Sequence, residues 1–400
     1  MNGMHYLDAN ATQPLRPAAR DAILAAFEVT GNPSSVHQAG RAVRRIMEDA
    51  REVIARSFGG QPQDLVFTSG GTEADTTAIR AMSQGRRSVI SAIEHDAVRS
   101  AAADAVIVPV RPDGVVDLEA LEAQLRDGVA SLVCLMLANN ETGIIQPVRE
   151  AAAICRRRGA LLHVDAIQAA GRMPVRLDLL GAHSLAISSH KLGGPAGVGA
   201  LLLAPDAPFT APLIGGGGQE RGRRGGTPAA ALIAGFAAAA LASEADDLVN
   251  LANLRDAAER AAVACGAVVC GAPDRRLPNT TCVALPGAAA GVQVIALDLE
   301  KIAVSAGAAC SSGKVQTSHV LQAMGLGVLA AEAIRVSLPW NVSQTDIDAF
   351  AAAYQRVAAR LCPKLADPGA TIGSGFVRAA TLLQSHDRSS LTSQPACLPG

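Results

Sequence analysis

The sequence predicts an α/β fold: a large domain with a mostly parallel sheet and a smaller α+β domain. Three observations carry this expectation. Short apolar runs alternate with helical patterns between about residues 60 and 205, the signature of strands joined by crossover helices. The chain has 400 residues, 49% of them hydrophobic and 18% charged, enough for two domains with sizeable cores. After about residue 265 the alternation gives way to short strands and mixed elements. Aromatic residues make up only 2%, so Ala, Leu, Val and Ile must fill both cores.

The first strand expected is 64–68, which ends in Ser69-Gly70-Gly71 and feeds a helix over 72–83. Further strands are expected at 88–91, 105–110, 132–138, 161–165, 185–188 and 198–203, with helices at 118–125 and 149–158. In such a sheet, ligands sit outside the carboxyl ends of the strands, so residues just after each strand are the ones to inspect. Thr227 suits an N-cap and Pro228 a first helical position, opening a helical stretch to about Cys265. Strands follow at 268–270 and 280–285. The expected division is a large domain over 15–257, a small domain from 1–14 and 258–362, and a flexible extension over 363–400.

Charge is balanced, with 35 basic against 36 acidic residues, which leaves no footprint for nucleic acid and no polybasic membrane patch. The longest apolar run, 229–242, is too short to span a bilayer. The start has no basic stretch followed by an apolar run, so no leader and a cytoplasmic location are expected. The 8 cysteines include no C-x-x-C pair, and no H-E-x-x-H occurs, so no metal site is expected. The 38 glycines form neither G-x-G-x-x-G nor a Walker loop.

Among the basic residues only four are lysines: Lys191, Lys301, Lys314 and Lys364. Lys191 lies in Ser188-Ser189-His190-Lys191-Leu192-Gly193-Gly194, directly after an apolar strand. A partly desolvated lysine there has a lowered pKa and can form a Schiff base; the plainer reading is a solvated loop lysine. Thr68-Ser69-Gly70-Gly71-Thr72-Glu73 suits a phosphate at a helix N-terminus, or is a simple helix start. Asp165 ends the strand Leu161-Leu162-His163-Val164-Asp165, where it can pair with a cationic ring nitrogen or cap a helix. A phosphate cradle, a ring-nitrogen carboxylate and a Schiff-base lysine, in that order on one sheet edge, are what pyridoxal 5'-phosphate needs.

Three further stretches stand out. Gly215 to Thr227 holds three arginines among glycines, a second anion site or a hinge. Cys310 lies in Ser305-Ala306-Gly307-Ala308-Ala309-Cys310-Ser311-Ser312-Gly313, amid small residues unlike the bulky flanks of Cys134. That points to a reactive loop thiol, against an inert turn cysteine. Arg335 inside the apolar run 333–338 needs a buried anionic partner, either a structural carboxylate or a substrate's.

These residues, with Tyr6 to Thr12, Asn32-Pro33, Glu94-His95, Asn139-Asn140-Glu141-Thr142-Gly143, Arg221-Gly222 and Gly226-Thr227, resemble the cysteine desulfurases of iron–sulfur cluster assembly and nitrogen fixation. The likeness runs to about Leu361. It implies an aspartate-aminotransferase-like (fold type I) pyridoxal-phosphate enzyme. It implies that Lys191 holds the cofactor, Asp165 pairs with its ring nitrogen, Gln168 contacts its phenolic oxygen and His95 stacks on its face. Gly71, Thr72, Ser188 and His190 would bind the phosphate, with Thr227 offered by the partner subunit of a homodimer. Asn140 would lie at the cofactor and, with Arg335, hold the carboxylate of L-cysteine, and Cys310 would take the sulfur as a persulfide for a scaffold or carrier protein. The chain departs from the pattern at Gln13, Asp75-Thr76, Pro228 and Pro339. Rival readings are a selenocysteine lyase or aminotransferase on the same fold, and a non-catalytic sulfur-transfer or scaffold protein. An aminotransferase has no use for a loop thiol.

The tail after Cys362 lacks the periodicity to bury an apolar face. Its deletion is expected to leave the melting temperature nearly unchanged, which differential scanning calorimetry of the shortened chain checks.

Overall fold

The computed structural model describes residues 3–307 and 317–363. Cys310, Lys314, Lys364 and the tail extension therefore lie outside the described residues. In chain order the strands are β1 (His5–Tyr6), β2 (Leu65–Thr68), β3 (Arg87–Ser91), β4 (Val106–Val108), β5 (Ser131–Met136), β6 (Leu161–Asp165), β7 (Ser184–Ser188), β8 (Gly199–Leu203), β9 (Val268–Val269), β10 (Thr280–Ala284), β11 (Ile302–Ala303), β12 (Ser305–Ala306) and β13 (Ala333–Ser337).

β2 to β8 form a seven-stranded sheet in the order β2-β8-β7-β6-β5-β3-β4. All its neighbours are parallel except those of β8, which runs against both β2 and β7. β5 and β7 are buried along their whole length, because helices such as Gly71–Met82 and Val148–Arg158 pack on the sheet. A sheet covered on both faces selects near-continuous apolar strands, which is why these were legible as runs of Leu, Val, Ile and Ala. The left-handed Gly159 (φ 66°) closes the helix Val148–Arg158 and turns the chain straight into β6.

The second unit is built around the antiparallel sheet β12-β13-β10-β9 and the pair β1-β11. Leu7 packs in one core with Leu297, Val336, Phe350 and Tyr354, so the N-terminal segment joins the C-terminal third across almost the whole chain. Residue 257 falls inside the helix Leu248–Ala264, whose Leu251, Leu254, Ala258 and Ala262 all belong to this second core. Among the described residues, no helix is long and apolar enough to cross a membrane.

Two local expectations are corrected. The helical stretch from Thr227 to Cys265 is two helices, Ala230–Ser243 and Leu248–Ala264, because Asp247 caps the second by accepting from Asn250 N at 2.9 Å. Thr227 is not an N-cap. The N–H of Ala230 reaches back to Pro228 O at 3.1 Å, so Pro228 makes a tight turn before the helix rather than its first residue.

The glycine-rich segment between β8 and the first of these helices is pinned by a buried ion pair. Glu220 takes Arg51 at 2.8 and 2.9 Å and the N–H of Phe67 at 2.9 Å, with its own side chain only 2% exposed. Glu220 and Arg221 hold φ of 48° and 57°, a left-handed conformation that costs non-glycine residues energy and persists only where contacts over-determine it. Glu220→Ala, which leaves Arg51 buried beside the more exposed Glu48 alone, should therefore cost about 3–5 kcal/mol, read as a lower urea midpoint at an unchanged m value.

Candidate active site

The parallel strands β2, β3, β5, β6 and β7 end on one edge of the large sheet, and the chain just after each supplies the candidate residues. The turn Ser189–Lys191 follows β7 and brings Lys191 back over the edge. Its Nζ donates to the carbonyls of Asn10 and, at 2.8 Å, Ala11. Asp165 ends β6, is buried, and accepts from Ile167 N at 2.8 Å, so it both caps its turn and faces the site. Burial raises its pKa, while the charges of His95 and Lys191, with the Ile167 hydrogen bond, oppose the rise. His95 and Lys191 thus both bear on Asp165 at this sheet edge.

His95 caps the helix Asp96–Ala101, its Nδ1 accepting from Ala97 N at 3.1 Å. Gln168 donates to Asn10 O at 3.1 Å and accepts from Arg172. His190 lies 3.2 Å from Thr12 Oγ1, its pKa lowered to about 4 by burial and by the nearby Lys191 and Arg172. Arg335, 3% exposed, finds Asp8 at 2.7 Å and Asn140 O at 3.1 Å. Its structural partner is thus a residue of the N-terminal segment that sequence reasoning had not connected with it. Asn140 is half-buried, with its carbonyl taken by both Asn10 and Arg335.

The residues present fit a phosphate-bearing cofactor. At the end of β7, Ser188 Oγ is buried with no hydrogen-bond partner among the described residues. Beside it begins the helix Gly71–Met82, and a Cβ on Gly71 would lie 2.2 Å from Ile167 and 3.5 Å from Ser188. Only glycine lets the helix start approach the strand ends this closely, and Thr72 follows at the next position. An unpartnered hydroxyl beside a helix N-terminus suits a phosphate. Thr227 is exposed and lines a cleft with Thr68, Ser69 and Gly197. Two of the segment's three arginines are engaged within the chain, Arg224 with Glu73 at 2.9 Å and Arg223 with Asp64 at 3.5 Å.

Behind Asp165 lies a layer that sequence reasoning missed. Asp75, a departure from the family pattern, is fully buried 3.1 Å from His163 Nε2, and His163 Nδ1 lies 2.8 Å from Ser184 Oγ. Burial, with the nearby charges of Asp165 and Glu94, pushes Asp75 well above the carboxylate range, while burial lowers His163 to about 3. Both shifts favour the uncharged forms of this pair beside Asp165. Glu94 takes Ser91 Oγ at 2.5 Å and Met136 N at 3.0 Å, its other oxygen without a hydrogen-bond partner among the described residues. The pattern Glu94-His95 was visible in the sequence; that Glu94 turns inward was not. Asn10 lies in the Tyr6 to Thr12 stretch noted in the sequence, but its contacts with Lys191 and Gln168 were not legible there, because its partners are up to 327 residues away.

The chain matches the family model "Aminotransferase class-V" over residues 5–350. It is 44% identical to a cysteine desulfurase of Cereibacter sphaeroides over 360 residues, covering 86% of this chain and 92% of the relative. It is 38% identical to the cysteine desulfurase NifS of Azotobacter vinelandii, covering 86% of this chain and 90% of that one. Among solved structures, a NifS-like protein from Rickettsia africae superposes with a TM-score of 0.82 at 34% identity, over 88% of this chain and 99% of that one.

Burial lifts Glu94 from 4.5 to about 8, with Asp165 adding to the rise and the Ser91 and Met136 hydrogen bonds opposing it. The folded state thus keeps a proton that the unfolded chain releases, and this contribution to stability is full below about 4.5 and lost as pH rises toward 8. In denaturant unfolding at several pH values, the stability of the parent relative to Glu94→Gln should fall across that window.

Proposed function

We infer the chemistry from one premise: the chain belongs to the class-V aminotransferase family and, within it, to the cysteine desulfurases. It is a desulfurase that takes L-cysteine to L-alanine and retains the sulfur for transfer to an acceptor. The observation that supports this reading is that Lys191, after β7, and His95, after β3, both bear on the buried Asp165 at the end of β6.

Pyridoxal 5'-phosphate is the cofactor this edge would hold: its aldehyde by Lys191, its ring nitrogen by Asp165, its ring face by His95, its phenolic oxygen by Gln168, with Asn140 beside it, and its phosphate by Gly71, Thr72, Ser188 and His190. When bound, it supplies an electron sink for the carbon next to the substrate's amino group. Asp165 suits this role because its buried carboxylate, next to Asp75 whose uncharged form burial favours, is stabilised by a proton on the ring nitrogen. Lys191 moves the proton at the substrate's α-carbon. His95 exchanges a proton with the substrate thiol. Arg335, held by Asp8, and Asn140 take the substrate carboxylate.

Cys310 is the nucleophile toward the substrate sulfur. Its thiolate forms the sulfur–sulfur bond as the substrate's carbon–sulfur bond breaks, and that electron pair stays with the carbon fragment, which takes up a proton and leaves as alanine. The product persulfide serves a scaffold or carrier protein. The functional unit is a homodimer in which exposed Thr227 reaches the phosphate of the other subunit's site.

Cys310→Ser is the deciding experiment. The variant should bind pyridoxal phosphate with the parent's visible absorption band, while sulfur release from L-cysteine falls by about two orders of magnitude or more, since a serine hydroxyl is far less nucleophilic than a thiolate. Lys191→Ala should lose both band and turnover. Turnover of L-cysteine by Cys310→Ser at the parent rate would overturn the assignment of the nucleophile and make Cys397 the next thiol to replace.

A further inference from the structure

Glu141 has no part in the chemistry above, yet it is one of the most constrained carboxyls in the molecule. It is 2% exposed, in the turn after β5. Its backbone is fixed by Asn139, whose Oδ1 accepts from the N–H groups of Glu141 at 2.9 Å and Thr142 at 3.0 Å. Its Oε2 accepts from Ser318 Oγ at 2.5 Å. Ser318 is 1% exposed and also caps the helix His319–Ala323, accepting from Leu321 N at 3.0 Å. The same Oε2 abuts Gly307: a Cβ there would lie 2.4 Å from it, and 3.1 Å from Ser318 Cβ.

Gly307 directly follows β12, and Ser318 directly precedes a helix. These two points, close in space, flank the sequence 308–317, which includes Cys310. One buried carboxyl therefore touches both flanks of that segment. The residue before it, Asn140, gives its carbonyl to Arg335, so one turn joins the proposed carboxylate grip to the flanks of the sulfur-accepting segment. Burying a carboxyl costs free energy that an apolar side chain would not, and its contacts here run to both flanks.

We propose that Glu141 is a positioning residue that clasps Gly307 to Ser318 and so sets the place from which Cys310 reaches the substrate sulfur. This rests on the reading of Cys310 as sulfur acceptor. Glycine at 307 is a requirement of the clasp, because any side chain there displaces the Glu141 carboxyl or parts the flanks.

The test uses the full-length holoenzyme with Glu141→Ala, Glu141→Gln, Gly307→Ala and the double variant Glu141→Ala/Gly307→Ala. Three quantities are read: the visible band and its change on adding L-cysteine, single-turnover persulfide formation on Cys310 by trapping and mass spectrometry, and amide hydrogen exchange at 305–307 and 318–321. Glu141→Ala should slow persulfide formation about 10-fold or more with the cofactor band unchanged and KM within about 2-fold, and Glu141→Gln, still an acceptor for Ser318, should restore most of the rate. Gly307→Ala should slow the parent by a similar factor but add almost nothing to Glu141→Ala, the non-additivity expected of two groups in contact. Exchange at both flanks should rise in Glu141→Ala and Gly307→Ala.

Parent-like persulfide formation in Glu141→Ala would overturn the proposal, as would a Gly307→Ala penalty that is the same in both backgrounds, or failure of Glu141→Gln to rescue. Flank exchange that responds as expected in a parent forming no persulfide on Cys310 would overturn the sulfur-transfer reading, and with it the role of Glu141, while locating the fault in Cys310 rather than in the clasp.

Discussion

Asn10 is buried to 1% exposure and saturated with hydrogen bonds drawn from five distant parts of the chain. Its side chain donates to Asn140 O and Thr280 Oγ1, both at 3.0 Å, and accepts from Asn279 at 3.1 Å. Its N–H goes to Ser337 Oγ at 3.0 Å, and its carbonyl takes Gln168 and Lys191. One short residue thus ties β10 and β13 of the small sheet to the strand-end turns of the large one. Lys191, Gln168 and Asn140 are positioned against a common reference, and the sheets cannot shift independently without breaking bonds in a buried site, where each unmade bond costs most. Neighbouring Asp8 extends the arrangement by holding Arg335 at 2.7 Å and taking Ser305 Oγ at 3.0 Å. The N-terminal segment is therefore part of the site's framework, although it contributes only a two-residue strand.

The site also depends on which buried acids are kept neutral. Asp75, Glu94, Glu141 and Asp165 are all buried with raised pKa values, and burial is the first cause for each. They differ in what stands against the rise. Asp165 has His95 and Lys191 opposing the rise, and Glu141 has His319 and Arg335. Asp75 has only the neutral His163 beside it and two other acids around it. Lining up neutral groups behind one charged carboxylate is a way to hold a negative charge in a low-dielectric place without repulsion.

Anchoring of loops follows the same economy. Glu220 fastens the glycine-rich segment to β2 and Arg51, and Glu141 fastens Gly307 to Ser318. In each case a buried carboxylate or carboxyl contacts groups far apart in sequence, and the backbone around it accommodates the contact, by left-handed φ at Glu220 and by absence of a side chain at Gly307.

What the sequence determined by itself was whatever depends on local periodicity. The large-sheet strands were legible because a sheet covered on both faces demands short continuous apolar runs, and the order of Gly71, Asp165 and Lys191 on one edge followed from their places at the ends of those runs. Lys191 stood out because the chain spends so few lysines. The start of the helix at Ala230 was misjudged, since the N-cap and proline pattern at Thr227 was overridden by the turn at Pro228. Only the tertiary structure decided the rest. That Asp8 answers Arg335, that Asn10 joins two sheets, that Asp75 is paired with His163 and that Glu141 meets Gly307 and Ser318 are contacts between residues tens to hundreds of positions apart. Nothing in a local pattern encodes a partner that distant; it is set by how the two cores pack against each other, and by the requirement that every polar group caught between them be paired or left neutral.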